Sequence, residues 1–471
     1  MNEQILDISF VLNAINGKVD SLTKQLNIEM EENIVLKKEI VVLKERLAVY
    51  ETPKDSHNSS IPPSKESIKS LSAKSKKLLA TQSLREKSNK PSGGQIGHKG
   101  STLEFSIEPD FIVQHSPFFC TRCGNDLSKI EGSVIEVRQS VDIPLPINPV
   151  VTEHQVIGKK CSCGQCCEVD FPKSVRSNIS YGPNIRALVT YLSCTQYVPY
   201  KRITEVLRDC FGINISQGTV DNILQDMSLK SLTAYNEIRN RVEQSEVVGG
   251  DETGENINGA LYCLWAWVTN DLTYIFSDKS RGKAAIDKHF KNGLPNAILV
   301  TDRHASYFNM TVEGHQICLA HILRELTFLT ELYPNQTWSS QLAELIRDAI
   351  HKRKTDKWED IDRYSILERF TKLLTTCIDS LHLKIIAIQK SLIKHKDHVF
   401  KFLYNPNVPY DNNASERAVR ILKVKQKVSG SFRGQEGKGA DAFCHIHTIT
   451  QTAKKNNQNP FSALIAVANN F

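Results

Sequence analysis

The chain has 471 residues, which is too long for one hydrophobic core and predicts about three or four folded units. The 59 lysines and arginines exceed the 52 aspartates and glutamates, and the excess is concentrated locally, which favours binding to a polyanion. We find neither an 18-residue apolar window nor the pattern of a secretory signal, so we expect a cytoplasmic protein and exclude a membrane-spanning one.

Residues 1–51 show a heptad repeat, in which two apolar columns alternate in steps of three and four for about six heptads. The columns are Leu12, Val19, Leu26, Asn33, Ile40 and Leu47, and Ile8, Ile15, Leu22, Glu29, Leu36, Leu43 and Tyr50. A lone helix packed on a core needs no such length. Because a buried Asn at such a position favours two strands in register, we predict a coiled coil that forms a homodimer or a higher oligomer.

Residues 52–102 differ sharply in composition from the heptad segment. Between Lys65 and Lys99 there are nine Lys and Arg but two acids, with Ser, Pro and Gly throughout. Such a segment cannot bury a core, so we predict a basic disordered linker. It is either a solvated tether or a tether that also follows DNA phosphates.

Residues 103–178 combine short predicted strands with two cysteine motifs, "CTRCG" at 120–124 and "CSCGQCC" at 161–167. Twelve cysteines in a protein expected to be cytoplasmic favour thiols or metal ligands over disulfides. Thiolates that converge from two tight turns form a tetrahedral zinc ribbon. We therefore predict structural Zn²⁺ bound by Cys120 and Cys123, with Cys161 and Cys163 or Cys163 and Cys166 as the second pair.

Residues 179–245 are predicted to be helical and to bind DNA. Apolar residues at helical spacing precede and follow a turn that contains Gly212, and Ser216 is a candidate cap for the second helix. This arrangement fits a helix-turn-helix. An ordinary helical hairpin would give the same pattern.

Residues 246–456 carry the candidate catalytic acids. The pattern predicts three strands, a helix, a strand, a helix and a strand, which suits a mixed five-stranded α/β sheet. Asp251 and Asp302 each follow an apolar stretch, so we expect them at the ends of strands, where ligands bind in open sheets. Two adjacent carboxylates repel unless a cation lies between them, and Mg²⁺ prefers carboxylate oxygens and phosphate.

A third acid is expected late in the chain, on a helix in a basic region. "YDNNASERAVR" at 410–420 fits, because a polar Asp-Asn-Asn cluster stands where a helix cap would and Glu416 follows in the first turn. From 400 to 456 there are ten Lys and Arg against four acids. A capped surface helix is the simpler interpretation of these residues alone. With Asp251 and Asp302 earlier in the chain, we favour Glu416 as the third metal ligand.

The chain closely resembles the insertion-sequence-66 family of bacterial DDE transposases over nearly all of its length. The resemblance rests on the heptads, the cysteine motifs and the segments "NSSIPPS", "GGQIGHKG", "YGPNIRALVTYLSCTQYVPYKRI", "GGDETG", "VTDRHASY", "CLAHILREL", "DNNASERAVR" and "TITQTAKKNNQNPFSAL". It implies a multidomain α+β chain with an RNase H-like core whose acids are Asp251, Asp302 and Glu416. It also implies a helical insertion at about 335–400 and a C-terminal tail at 457–471.

The resemblance further implies the cofactors and partners. These are Mg²⁺ or Mn²⁺ at the acids, double-stranded DNA as transposon ends and target, and small accessory proteins of the same element. We expect a bacterial protein that associates with the nucleoid when it is bound to DNA. Its function would be to bind terminal repeats and to catalyse metal-dependent strand cleavage and strand transfer.

Several neighbours of the acids are candidates for DNA binding or for support of the site. Cys318 and His321 have the C-x-x-H spacing of zinc ligands. Only two such ligands occur together, however, and they straddle a strand-to-helix junction. We therefore favour a supporting role, with His321 near the phosphate. The basic candidates for phosphate contacts are Arg324, Arg417, Arg420, Lys423, Lys425, Lys427 and Arg433.

Three alternatives differ in activity. The first is a DNA-binding protein derived from a transposase but no longer catalytic. The second is an RNase H-like nuclease that cuts without joining, and the third is a coiled-coil adaptor. Because all three acids are present and the other modules suit a protein that pairs specific DNA ends, we favour the transposase.

Overall fold

A computed structural model of the chain describes residues 2–51, 54, 58–59, 105–142, 147–160, 162–163, 166–167, 169–172, 174–175, 177–379, 382–430, 432 and 437–469. The predicted linker at 52–102 lies almost entirely outside these residues. Arg433 and the side chains of Cys161 and Cys166 also lie outside them.

The N-terminal segment forms one helix, α1 (Asn2–Glu51), which continues without a break through Gly17. Its heptad columns are exposed: Leu12, Val19 and Leu26 retain 53, 53 and 57% of their accessible surface. The described side chains of the apolar stripe therefore do not pack on a core of this chain.

Around the first cysteine motif the backbone forms a tight turn. The amide of Gly124 donates to the carbonyl of Cys120 at 2.8 Å, and Gly124 has a φ of 76°, which glycine adopts without strain. Residues Phe119 and Asp126 pair on either side of the turn. At the end of the second motif, Cys166–Cys167 form β2, which pairs in antiparallel register with β1 (Lys159–Lys160).

The helical region contains α2 (Pro183–Thr190), which continues as a π-helix over Tyr191–Thr195, followed by α3 (Tyr200–Phe211) and α4 (Gln217–Glu243). The predicted cap is confirmed, because the Oγ of Ser216 accepts a hydrogen bond from the amide of Thr219 at 3.0 Å. Helix α4 is longer than the predicted motif required, and it buries apolar side chains along its whole length.

The predicted mixed five-stranded sheet is confirmed. Its elements are β3 (Val247–Ile257), β4 (Ala260–Val268), β5 (Thr273–Asp278), α5 (Lys283–His289), β6 (Leu294–Thr301), α6 (Ala305–Phe308) and β7 (Val312–Ile317). The strand order is β5-β4-β3-β6-β7, with β3 antiparallel to β4 and parallel to β6. This is the RNase H-like order, in which a meander of three strands is extended by two parallel strands.

Further helices follow the sheet. They are α7 (Leu319–Leu332), α8 (Trp338–Thr355), α9 (Arg363–Thr375), α10 (Leu383–Lys394), α11 (Asn413–Ser429), α12 (Lys438–Lys455) and α13 (Pro460–Asn469), with short 3₁₀ turns at 358–360, 396–398 and 401–403. Helices α8 to α10 occupy the range predicted for an insertion. Helix α13 packs on α2 and α12, so the described part of the C-terminal segment is ordered against the helical region.

The helical region shares its hydrophobic core with the sheet. The backbone of Ile275 in β5 accepts from the hydroxyl of Tyr235 on α4 at 3.0 Å and donates to Oγ1 of Thr448 on α12 at 3.1 Å. A second apolar cluster joins β6 and β7 to α7–α10. Within the described residues, no helix is long and apolar enough to cross a membrane.

Candidate active site

Asp251 lies within a strand, and the prediction that it ends one is wrong. Strand β3 continues to Ile257 because β4 pairs with it in antiparallel register beyond the point where its parallel partner β6 ends. The last parallel pair joins Gly249 to Val300. Asp302 directly follows β6, as predicted. Both acids therefore lie just beyond the same parallel pair.

The three predicted acids influence one another electrostatically. Burial, together with the negative charges of Glu252, Asp302 and Glu416, raises the pKa of Asp251 to about 8. Asp302 and Glu416 therefore lie within electrostatic range of the Asp251 carboxyl, although they come from distant parts of the chain. Without a cation, the Asp251 carboxyl is held largely in its protonated form at neutral pH.

Glu416 is brought to the sheet by Asn412, the residue that precedes α11. We predicted that the polar cluster caps the helix, but the side chain of Asn412 makes no capping bond. Its Nδ2 instead donates to the carbonyl of Gly250 in β3 at 2.7 Å, and Asn412 is buried. The start of α11 is therefore tied to the strand that carries Asp251.

The close approach of α11 to β3 requires a glycine at position 249. A Cβ on Gly249 would lie 2.4 Å from Oγ of Ser415 and 3.0 Å from Oδ1 of Asn412, both from the α11 end. Distances this short force neighbouring atoms to move. The Gly-Gly pair before Asp251 is thus part of how Glu416 reaches the site.

Helix α7 borders Glu416 through His321. The Nε2 atom of His321 is 3.7 Å from Oε1 of Glu416, and Nη2 of Arg420 is 3.2 Å from Oε2. Burial lowers the pKa of His321, and the charge of Glu416 opposes that effect. Cys318 is fully buried at the start of α7, and burial raises the pKa of its thiol to about 12. His321 therefore lies beside Glu416, and its supporting role at the phosphate stays a prediction.

On the other face of β3, Glu252 forms a buried network that the sequence did not predict. Arg281 donates to its Oε1 through Nη2 at 2.9 Å, and the hydroxyl of Tyr307 donates to Oε2. The Glu252 side chain is 1% exposed, whereas that of Arg281 is 65% exposed. The alternation of side chains along a strand was the available signal for Glu252, but its partners are distant in sequence.

The basic candidates divide into exposed and internal groups. Arg417, Arg420 and Lys427 are exposed on α11, and Arg324 is half-buried on α7. Lys423 donates to the carbonyl of Gly254 and to Oε1 of Gln426. Lys425 is buried and donates to the carbonyl of Ser193 at 3.2 Å, so the prediction of a phosphate contact there is wrong.

The residues present fit a divalent cation at the acids. Among the described residues, Oε1 of Glu416 is a buried carboxylate oxygen without a hydrogen-bond partner. A cation between Asp251, Asp302 and Glu416 would satisfy it and would remove the repulsion that raises the Asp251 pKa. At the first cysteine motif, hydrogen bonds from the Cys123 and Arg122 backbone and the Cys123 side chain lower the pKa of the Cys120 thiol, which favours the thiolate that zinc requires.

Comparison with known proteins identifies the family. No curated protein sequence matches the chain. Residues 178–440, from the helical region to the start of α12, match the family described as "Transposase IS66 family", whose members are DDE transposases and generally phosphoryl-transfer enzymes that typically use Mg²⁺. Because this match covers more than half of the chain, the protein belongs to the IS66 family of transposases.

Proposed function

We propose that this protein is the DNA transposase of an insertion sequence, which binds terminal repeats and catalyses metal-dependent strand cleavage and strand transfer through Asp251, Asp302 and Glu416. The observation that carries the proposal is that Asp251 and Asp302 follow the same parallel pair, Gly249–Val300, while a hydrogen bond from Asn412 to Gly250 holds the start of α11, which carries Glu416, on β3. The three acids, from β3, the end of β6 and the first turn of α11, would form the DDE site that the family leads one to expect.

Each acid would have a defined share in holding the cations. Asp251 and Asp302 would hold one ion, and Asp251 and Glu416 the other. When bound, such ions lower the pKa of the nucleophile, orient it, and stabilise the leaving oxygen in an in-line displacement at phosphorus. The same site would accept water as the nucleophile in cleavage and a DNA 3′-hydroxyl in strand transfer.

The remaining residues would place the acids and the DNA. Asn412 fixes the start of α11 on β3, and Arg420 and His321 lie on either side of the Glu416 carboxylate. We infer that the phosphate contacts come from exposed side chains on α11, with support from α7. The residues assigned to this role are His321 and Arg324 on α7, exposed Arg417, Arg420 and Lys427 and half-buried Lys423 on α11, and Arg433, which lies outside the described residues.

We also propose that α1 forms a parallel two-stranded coiled coil with a second copy of the chain. The exposed apolar stripe of α1 needs a partner, and Asn33 would face Asn33 of that copy. In this register Glu32 lies opposite Lys37, and Glu39 lies opposite Lys44, so the flanking charges attract. Sedimentation of the full chain should give a dimeric or larger mass, and a monomer would exclude this partner.

The zinc ribbon is proposed on the basis of the turn at Cys120–Gly124 and the pairing of β1 with β2 at the end of the second cysteine motif. Purified protein should contain zinc that is lost from the Cys120→Ser and Cys123→Ser variants. Equal zinc content in the wild type and both variants would remove these two cysteines from the site.

The experiment that tests the proposed function uses DNA ends from the flanks of the gene, with Mg²⁺ or Mn²⁺. Products in which these ends are joined to a target DNA would support the transposase. Cleavage without joining would favour an RNase H-like nuclease. Specific binding with neither reaction, in the presence of the element's accessory proteins, would indicate a DNA-binding protein that has lost its activity.

A further inference from the structure

The start of α7 and the first turn of α11 bring together three side chains with different donor atoms. The ligand atoms of Cys318, His321 and Glu416 all lie within 4.8 Å of one another. The sequence alone indicated two of these ligands, because Cys318 and His321 form a C-x-x-H motif. The third comes from a helix almost a hundred residues later, which is why no local pattern could reveal the set.

Backbone contacts hold this arrangement from both sides. The amide of Cys318 donates to the carbonyl of Thr301 at 2.8 Å, which places the Cys318 backbone beside the residue that precedes Asp302. The amide of Leu319 donates to the carbonyl of Tyr410 at 2.9 Å, and the amide of Asn412 donates to Sγ of Cys318 at 3.2 Å. The donor atoms are thus positioned by the same segments that form the core of the domain.

Two buried atoms in the group lack hydrogen-bond partners within the described part of the chain, Oε1 of Glu416 and Nδ1 of His321. A buried polar atom without a partner is costly and calls for an explanation. A cation bound by the group would account for the Glu416 oxygen directly. It would also fix the orientation of the imidazole, whose Nε2 already faces that oxygen at 3.7 Å.

The donor set selects the kind of cation. Mg²⁺ takes oxygen ligands, whereas a thiolate, an imidazole and a carboxylate together suit Zn²⁺ or a metal of similar preference. We propose that Cys318, His321 and Glu416 form a site for a thiophilic divalent cation such as Zn²⁺, separate from the cysteine ribbon and sharing Glu416 with the acids. Three protein ligands and one open position are a common arrangement for this ion.

Sharing Glu416 has a consequence for the acids. Oε1 of Glu416, the oxygen without a hydrogen-bond partner, is the atom that both this ion and an ion at Asp251 would use. Binding of Zn²⁺ by the group would therefore compete with binding of Mg²⁺ at Glu416. The chain would hold two alternative cation arrangements that differ in which side chains accompany Glu416.

The test is a titration with Co²⁺, which reports thiolate coordination by a charge-transfer absorption band and geometry by its visible bands. It uses the full-length chain with Cys120→Ser and Cys123→Ser, so that the proposed ribbon is impaired. We expect a saturable charge-transfer band, which Cys318→Ser removes and which Zn²⁺ displaces. His321→Ala should weaken binding by at least about tenfold, because one of three ligands is lost.

Cys444→Ser is the matched control, since Cys444 is also buried but lies on α12, outside the group. It should leave the band and the affinity unchanged. A band that survives Cys318→Ser, or the lack of any band that depends on His321, would overturn the proposal. If circular dichroism shows that Cys318→Ser does not fold, the Co²⁺ titration of His321→Ala tests the proposal instead. The titration needs neither DNA nor catalysis, so its outcome is independent of whether the protein transposes DNA.

Discussion

Asp251 lies two positions beyond Gly249 in β3, and Asp302 lies two positions beyond its parallel partner Val300, directly after the end of β6. Adjacent strands are about 4.8 Å apart, and residues at equal steps from a pair share one face of the sheet. The strand register therefore brings the backbones of the two acids to neighbouring positions just beyond this pairing. A substitution at either position removes one charge while the sheet that holds the other stays in place.

The approach of α11 to β3 predicts opposite outcomes for two glycines of one strand. Gly249→Ala should reduce the free energy of unfolding by about 1–3 kcal/mol and reduce strand transfer, because its Cβ would meet Ser415 at 2.4 Å. Gly254→Ala is the control, since its Cβ would lie at an ordinary 3.6 Å from Leu261. Chemical denaturation measures the free energy of unfolding of both variants. Equal stability of the two variants would show that α11 does not approach β3 so closely.

Asn412→Ala should also destabilise the protein, by about 1–3 kcal/mol, because it removes a buried hydrogen bond to the Gly250 carbonyl. Strand transfer should fall with it, since the start of α11 would no longer be fixed beside Asp251. Asn413→Ala is the matched control, because the side-chain Nδ2 of Asn413 donates to Oδ2 of Asp411 within its own turn. We would measure denaturation midpoints and joining rates. If the Asn413 variant is as impaired as the Asn412 variant, the hydrogen bond from Asn412 to Gly250 does not position α11.

The metal-free protein should lose stability as pH rises because of Asp251. Its pKa is raised from 3.8 to about 8 in the folded chain, so the unfolded chain releases the proton first and folding is progressively disfavoured between these values. Asp251→Asn cannot ionise. In EDTA, the melting temperature of this variant should therefore rise relative to wild type from pH 5 to pH 8.

The complementary measurement is the change in melting temperature when Mg²⁺ is added. At pH 8 it should raise the melting temperature of the wild type more than that of Asp251→Asn, because a bound cation favours the ionised carboxylate. A difference between the two proteins that is constant with pH, and equal shifts with Mg²⁺, would show that Asp251 is not in a repulsive cluster.

Exposed cations on α11 should contribute to DNA affinity through phosphates. Arg417→Ala and Lys427→Ala should each weaken binding to any sequence and reduce the slope of log K against log salt concentration by about one. Arg369→Ala is the control, because Arg369 is exposed on α9 and paired with Asp348. Fluorescence anisotropy over a range of salt measures the slopes. Unchanged slopes in the α11 variants would place the DNA elsewhere.

The sequence predicted those features that depend on local periodicity. Short patterns predicted the five strands in their order along the chain, the cap at Ser216 and the position of Glu416 in the first turn of a helix. The extent of β3 did not, because the segment "ETGENI" after Asp251 is polar and is a strand only through its hairpin partner β4. The roles of Asn412 and Cys318 depend on a contact between distant segments, which no local pattern encodes.

The most direct test of the central claim is strand transfer by the wild type beside Glu416→Gln, at matched DNA occupancy and in Mg²⁺. Asp251→Asn and Asp302→Asn are measured in parallel, with Glu313→Gln and Asp287→Asn as acids exposed outside the site. We predict joined products from the wild type and both controls, and a loss of at least about 100-fold in each triad variant with DNA affinity retained. Substantial joining by Glu416→Gln would contradict the assignment of Glu416 as the third acid of the site.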